Sequence, residues 1–124
     1  MLVWSALLCL FLPTVYLVGR SNRPGGLAWG FGNRHVPLDT PAWVGRAVRA
    51  HMNLVENLPA FAVFVLVAHV AGKANATTAL GATLFFWGRV AHAAVYVAGI
   101  PYLRTAAFFV GTAGEVLILL QIWR

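Results

Sequence analysis

The chain has 124 residues, of which 60% are hydrophobic and only 10% charged, against about a quarter charged in an ordinary soluble domain. With a mean hydropathy of +0.78, that balance excludes a water-soluble globular domain and describes a membrane protein with no extramembrane segment long enough to build a core. The formal charge of +6 does not indicate nucleic acid, because Arg20, Arg23, Arg34, Arg46 and Arg49 crowd between the first two apolar segments or at the mouth of the second, which is positive-inside bias.

Leu2 to Val18 is the first apolar segment, close to the length that crosses a hydrocarbon core of ~30 Å. Its short run, interrupted by Pro13, also fits a cleaved signal peptide. The positive charges of Arg20 and Arg23 follow that run instead of preceding it, so it reads as an uncleaved helix with its N-terminus outside. Cys9 is the only cysteine; it allows no intrachain disulfide and reads as a packing residue. From about residue 20 to 41, Pro24, Gly25, Gly26, Gly30, Gly32, Pro37 and Pro41 predict an irregular cytoplasmic loop. No Gly-Lys-Ser/Thr follows and no strand precedes, so these glycines do not form a phosphate loop. Trp29, Phe31 and Trp43 read as interfacial anchors.

The second helix is predicted over about 44 to 71, with its apolar part from Ala50 to Ala71. At ~100° per residue, Arg46, Arg49, Asn53 and Glu56 fall within about 80° of its circumference, while His51 points the other way. An intramembrane carboxylate persists where it faces a partner or a polar cavity, so Glu56 marks a site. Pro59 deprives the Val55 carbonyl of its helical partner and predicts a kink. The third helix, about 76 to 98, carries Arg89, His92 and Tyr96 on a face of about 60°. The fourth, about 103 to 123, begins with Arg104. Short connections at Gly72 to Ala74 and Gly99 to Pro101 make the last three helices antiparallel neighbours. Gly81, Gly88, Gly111 and Gly114 allow close helix contact, within a subunit or between subunits. The expected fold is all-α, a single transmembrane domain built as an up-down four-helix bundle with both termini outside the cytoplasm.

Counting ~1.5 Å per residue from Ala50, Ala98 and Leu103 puts Tyr96 about 3 Å deep, Glu56 and His92 about 9 Å, and Arg89 about 14 Å. Arg49, Asn53 and Arg104 sit at the cytoplasmic boundary. The last three helices are thus expected to line one polar cleft open to that side, with Glu56 and Arg89 as an ion pair at its floor. His69 and Glu115 are expected in the outer half, away from it. Taken singly, Arg49 and Arg104 fit lipid phosphates, His92 an interior histidine and Tyr96 an interfacial tyrosine. The histidines lack ligand-like spacing, so no metal site is expected. No serine accompanies the cluster, and any nucleophile comes with the ligand.

Arg49-Ala50-x-x-Asn53-x-x-Glu56 followed by Pro59 and Phe61, then Gly88-Arg89-Val90-Ala91-His92-Ala93-Ala94-Val95-Tyr96, and finally Arg104, resemble the motifs of the membrane-associated proteins in eicosanoid and glutathione metabolism (MAPEG). The resemblance covers nearly the whole chain. It implies a homotrimer in the bilayer, with glutathione as thiol co-substrate in clefts between subunits on the cytoplasmic side. It also implies binding by Arg49, Asn53, Glu56 and Tyr96, with Arg89 and His92 beside them, and Arg104 as the arginine that activates the thiol. Forked arginines suit the two carboxylates of glutathione, Glu56 its ammonium, and Asn53 either kind of group. Met52 stands where some members carry a second arginine and Phe108 where some carry a tyrosine. These departures count against a prostaglandin E synthase and leave leukotriene C4 synthase-like or microsomal glutathione transferase-like chemistry open. The implied activity is a glutathione-dependent transferase or peroxidase acting on hydrophobic electrophiles or lipid peroxides. The alternative is a non-catalytic lipid- or partner-binding protein of the same fold. A small multidrug transporter shares the helix count but would be expected to carry a carboxylate on the first helix, and none lies between Met1 and Gly19.

Overall fold

A computed structural model describes all of residues 1–124, in helices α1 (Leu2–Ser21), α2 (Gly26–Phe31), α3 (Ala42–Val70), α4 (Ala76–Ala98) and α5 (Pro101–Ile122). All but α2 are long and apolar enough to cross a membrane, which makes this a multi-pass membrane protein. At 29 residues, α3 is about 43 Å long and overshoots the hydrocarbon core. Its first turns carry Arg46 and Arg49 to the level of Tyr96 and Val97, at the end of α4.

Each junction has a local cause. Asn75 caps α4 by accepting from the backbone N–H of Thr77 (2.8 Å) and Thr78 (3.0 Å), while the Asn75 N–H donates back to Thr78 Oγ1 (2.9 Å). That reciprocal box satisfies donors that a helix start otherwise leaves orphaned. Asn75 Nδ2 also donates to Gln121 Oε1 at 3.0 Å, joining the start of α4 to the end of α5. At the opposite end Gly99, at φ +84°, closes α4 in a left-handed conformation that other residues adopt at a cost, and Pro101 opens α5.

The seam between α4 and α5 is made of glycines. A Cβ on Gly81 would lie 2.6 Å from the Gly114 carbonyl oxygen, and one on Gly88 would lie 2.7 Å from the Gly111 nitrogen. These contacts are within one chain. In lipid, where apolar side chains gain nothing by avoiding solvent, such close backbone approach is what drives helices together. Phe61 of α3 stacks on Phe85 of α4 with centroids 3.8 Å apart, both fully buried. Leu12, Leu54 and Ile118 complete the core around them.

One expectation needs correcting. The segment from 20 to 41 is not irregular throughout, because α1 continues to Ser21 and α2 occupies Gly26–Phe31. Gly26 is buried against the backbone carbonyl of Arg20, where a Cβ has no room. The glycines there permit a tight turn into a short helix and do not only break one. Arg23 fastens the rest of the segment, donating from Nε to the Asp39 carbonyl (3.0 Å) and pairing with its carboxylate (3.5 Å).

Candidate functional site

Two groups of polar side chains occupy different depths of the bundle. The deeper one centres on Arg89, which is 1% exposed. Its Nη1 donates to Asn53 Oδ1 and its Nη2 to Asn57 Oδ1, each at 3.0 Å, and Nη2 lies 3.9 Å from Glu115 Oε2. Phe85 and Phe108 lie 5.0 and 4.9 Å from the guanidinium carbon. A charge near the middle of a bilayer is costly, and these contacts replace water for it. Gly111 leaves room for the head group, since a Cβ there would stand 3.2 Å from Arg89 Nε. Arg89 Nε and Glu115 Oε1 are buried without hydrogen-bond partners.

The expected pair of Glu56 with Arg89 is therefore not formed. Asn53 and Asn57 straddle Arg89, so the contact face of α3 lies midway between them, and Glu56 is turned about 80° from that direction at ~100° per residue. Glu56 is exposed and makes no ion pair within the chain. The expectation that Glu115 lies apart from the site is also corrected. By rise alone Arg89 and Glu115 differ by about 4 Å in depth, and an arginine side chain spans that difference. Asn57 carried no charge to draw attention to it. Its signal was its position one turn after Asn53 on the same face.

Arginine has donors and no acceptor, so Asn53 must turn its Oδ1 toward Arg89. The Asn53 Nδ2 has no protein partner and is not among the buried unpaired atoms. Asn53 thus presents an N–H donor to the space beside it. Asn57 is consumed at both ends, since its Nδ2 donates to the Asn53 carbonyl at 2.7 Å.

The second group lies at the end of the bundle that holds Gly99. Arg104 of α5 places its guanidinium carbon 4.5 Å from the Tyr96 ring centroid, and Arg49 of α3 approaches the same ring at 6.0 Å. His92, 4% exposed, meets Tyr96 edge-on at 5.3 Å. Asn53, His92, Tyr96 and Arg104 line a cavity of about 290 Å³ together with Thr105 and Phe108. Neither Arg49 nor Arg104 has a carboxylate or carbonyl acceptor within the subunit, whereas Arg46 beside them donates from Nε to the Val97 carbonyl at 3.0 Å. Of the predicted site residues, Asn53, Arg89, His92, Tyr96 and Arg104 form one connected set, Arg49 joins it at the edge of Tyr96, and Glu56 stands apart.

His51 faces α1, as its angle predicts. Tyr16 Oη lies 3.3 Å from its Nδ1 and Cys9 Sγ 3.7 Å from its Nε2. That trio ties α1 to α3 on the far side of α3 from Asn53.

Chemically, the open end offers two unneutralised forked cations, one amide donor and an aromatic wall around a small cavity. Such a set has the chemistry to hold an anion of modest size, in a space too small to enclose a larger ligand. A family model described as the MAPEG family matches residues 1–123. Neither a curated protein nor a solved structure matches the chain.

Proposed function

The chain belongs to the MAPEG family, and from that premise we propose that it is a membrane glutathione-dependent transferase or peroxidase acting on hydrophobic electrophiles or lipid peroxides. The observation that carries this reading is the pairing of Arg49 and Arg104 on Tyr96, without counter-ions, beside the cavity lined by Asn53 and His92. Glutathione supplies the missing anions. Its carboxylates suit the arginine forks, and a carbonyl or carboxylate oxygen suits the Asn53 donor.

Arg104 acts on the thiol by charge and hydrogen bonding. It stays protonated throughout, so the thiol proton leaves to solvent and the thiolate remains beside the guanidinium. In conjugation the thiolate forms a C–S bond to the electrophilic carbon, and the electron pair of the broken bond goes to the leaving group or opened ring. In peroxide reduction the thiolate sulfur attacks the outer oxygen, the O–O bond breaks, and the alkoxide takes a proton. A second glutathione then converts the sulfenic acid to the disulfide and water. Tyr96 and His92 form the wall, and Arg89 acts through Asn53.

The cavity lies at the low end of small-molecule sites, which run from ~300 Å³ upward, and Glu56 faces outward from α3. Both features fit a cleft completed by neighbouring copies in a homotrimer, where Glu56 meets the glutathione ammonium. The crowding of arginine at the Gly99 end fits a cytoplasmic placement of that end, with both termini outside.

The test is a glutathione titration of the purified protein in detergent at pH 7, read by thiolate absorbance in the ultraviolet. A free thiol titrates near 8.5, so only a few per cent is ionised without help. The wild type is expected to develop the signal, Arg104→Ala to lose most of it while still binding glutathione, and Arg104→Lys to recover part. Saturable binding with no thiolate signal in the wild type would sink the enzyme reading and leave the non-catalytic binding protein.

A further inference from the structure

A larger cavity, about 530 Å³, lies between the last turns of α1 and the short α2. Its walls are Leu17, Val18, Leu27 and Phe31, and its rim carries Arg20 and Arg34. Phe31 is 93% exposed and Leu27 63%, so the apolar wall continues onto the outer surface of the subunit.

The two arginines are arranged about one ring. The guanidinium carbon of Arg20 is 5.3 Å and that of Arg34 is 5.4 Å from Trp29. Arg34 is held by its Nε and Nη2, which donate to the Gly30 carbonyl at 3.3 and 2.9 Å, and Trp29 Nε1 donates to the Val36 carbonyl at 2.6 Å. Neither cation has a carboxylate partner, whereas Arg23 nearby is paired with Asp39.

The structure assigns this groove, we propose, to an anionic phospholipid of the leaflet at this end of the bundle. The phosphate sits between Arg20 and Arg34, and an acyl chain lies along Leu17, Val18, Leu27 and Phe31. Charge complementarity selects the occupant. A second copy of the chain is a poor fit, because of its three acids Asp39 is already paired and Glu115 is buried, which leaves Glu56 as a single carboxylate for two arginines. Phosphatidylcholine also brings a phosphate, but its own quaternary ammonium offsets that charge and is repelled by the two cations, so it complements them less well. The anionic lipid supplies the phosphate and the chain in one molecule, at the membrane level where α1 ends and interfacial Trp is favoured. The proposal stands independently of the glutathione reading, since it uses no residue of that site.

The experiment is native mass spectrometry of the full chain exchanged against dioleoylphosphatidylglycerol, dioleoylphosphatidylcholine or inorganic phosphate. Wild type is expected to retain phosphatidylglycerol over phosphatidylcholine by roughly 30-fold, the amount two interfacial arginines supply. Arg20→Gln with Arg34→Gln should erase that preference, and Arg20→Lys with Arg34→Lys should keep most of it. Gly30→Leu tests the groove separately, because an added Cβ there meets nothing within 4 Å and the side chain fills the apolar space. It should weaken retention of both lipids and leave the headgroup preference intact. Equal retention of the two lipids by wild type, or an unchanged preference in the glutamine pair, overturns the proposal. So does retention of inorganic phosphate as strong as that of phosphatidylglycerol, which would make the groove idle. A change of oligomeric state in Gly30→Leu with lipid retention unaltered would give the groove to a second copy.

Discussion

Arg89 and Arg104 each touch a residue that lines the same cavity, Asn53 for one and Tyr96 for the other, yet they differ in what their donors meet. Arg89, buried in the interior, gives Nη1 to Asn53 and Nη2 to Asn57, with the Glu115 carboxylate 3.9 Å away. Arg104, half-buried at the open end, lies on the Tyr96 ring and meets no acceptor of its own subunit. On the proposed function, what a guanidinium already touches, more than its residue type, separates an arginine that builds the protein from one left free for a ligand. A buried guanidinium whose two Nη groups are held by the protein is closed to a ligand.

Cutting the interior cluster has the largest expected effect. Arg89→Ala leaves Glu115 buried and unpaired, and Glu115→Ala leaves Arg89 short of its counter-charge, so each is expected to cost ~3 to 5 kcal/mol. The double variant should cost clearly less than the sum. Unfolding in mixed micelles checks this, with Glu56→Ala in the same cycle as the control. Glu56 should show no coupling to Arg89 and a change within about 0.5 kcal/mol alone. Coupling of Arg89 to Glu56 in place of Glu115 would contradict the geometry.

Asn53 joins the two regions, accepting from Arg89 and lining the cavity. In Asn53→Asp the oxygen facing Arg89 is kept, so stability should hold or rise, but the cavity now meets an acceptor where it had a donor. Glutathione binding should fall by about 1.5 to 3 kcal/mol, the worth of a hydrogen bond to a charged group, and by more than in Asn53→Ala. Isothermal titration beside a melting curve separates the two effects. Wild-type affinity in Asn53→Asp would mean that the amide does not face the ligand as described. Gly88→Ala probes the interior alone. Its added methyl meets the Gly111 backbone, which has no rotamer to yield, so a loss of ~1 to 3 kcal/mol in stability is expected. Retention of full stability would show that the seam is looser than the helix spacing indicates.

How much of this was legible in the sequence depended on whether a residue's signal was periodic or relational. Four runs of about twenty apolar residues and two short connections sufficed for the bundle, because length and hydropathy are local quantities. The angular clustering of Arg89, His92 and Tyr96 was equally readable. The partner of Arg89 was not, because counting Cα depth ignored the reach of its side chain, and the charge of Glu56 outweighed the neutral Asn57 beside it. Helix α2 escaped for a related reason. Leu27, Ala28 and Trp29 favour a helix only once the buried Gly26 lets the chain fold back on Arg20, and that contact is tertiary.

Arg49 gives the finest test of the contrast. It is exposed, and its 6.0 Å approach to Tyr96 is at the outer limit of a cation–π contact. Nothing in the fold depends on it, so Arg49→Ala should leave the unfolding free energy within about 0.5 kcal/mol of wild type. Its contribution to a bound carboxylate is that of a charge partly in water, worth ~1 kcal/mol or less, which is about fivefold in affinity. Because such a charge is screened over ~10 Å at 0.1 M salt, the difference between wild type and Arg49→Ala should shrink as ionic strength rises. Arg49→Lys should recover most of the low-salt affinity, since a solvated charge asks less of fork geometry than a buried one. Titrations at two salt concentrations beside a melting curve distinguish the outcomes. A stability loss above about 1 kcal/mol in Arg49→Ala would place this arginine with Arg89 among the builders of the bundle, and the division between the two ends would fail.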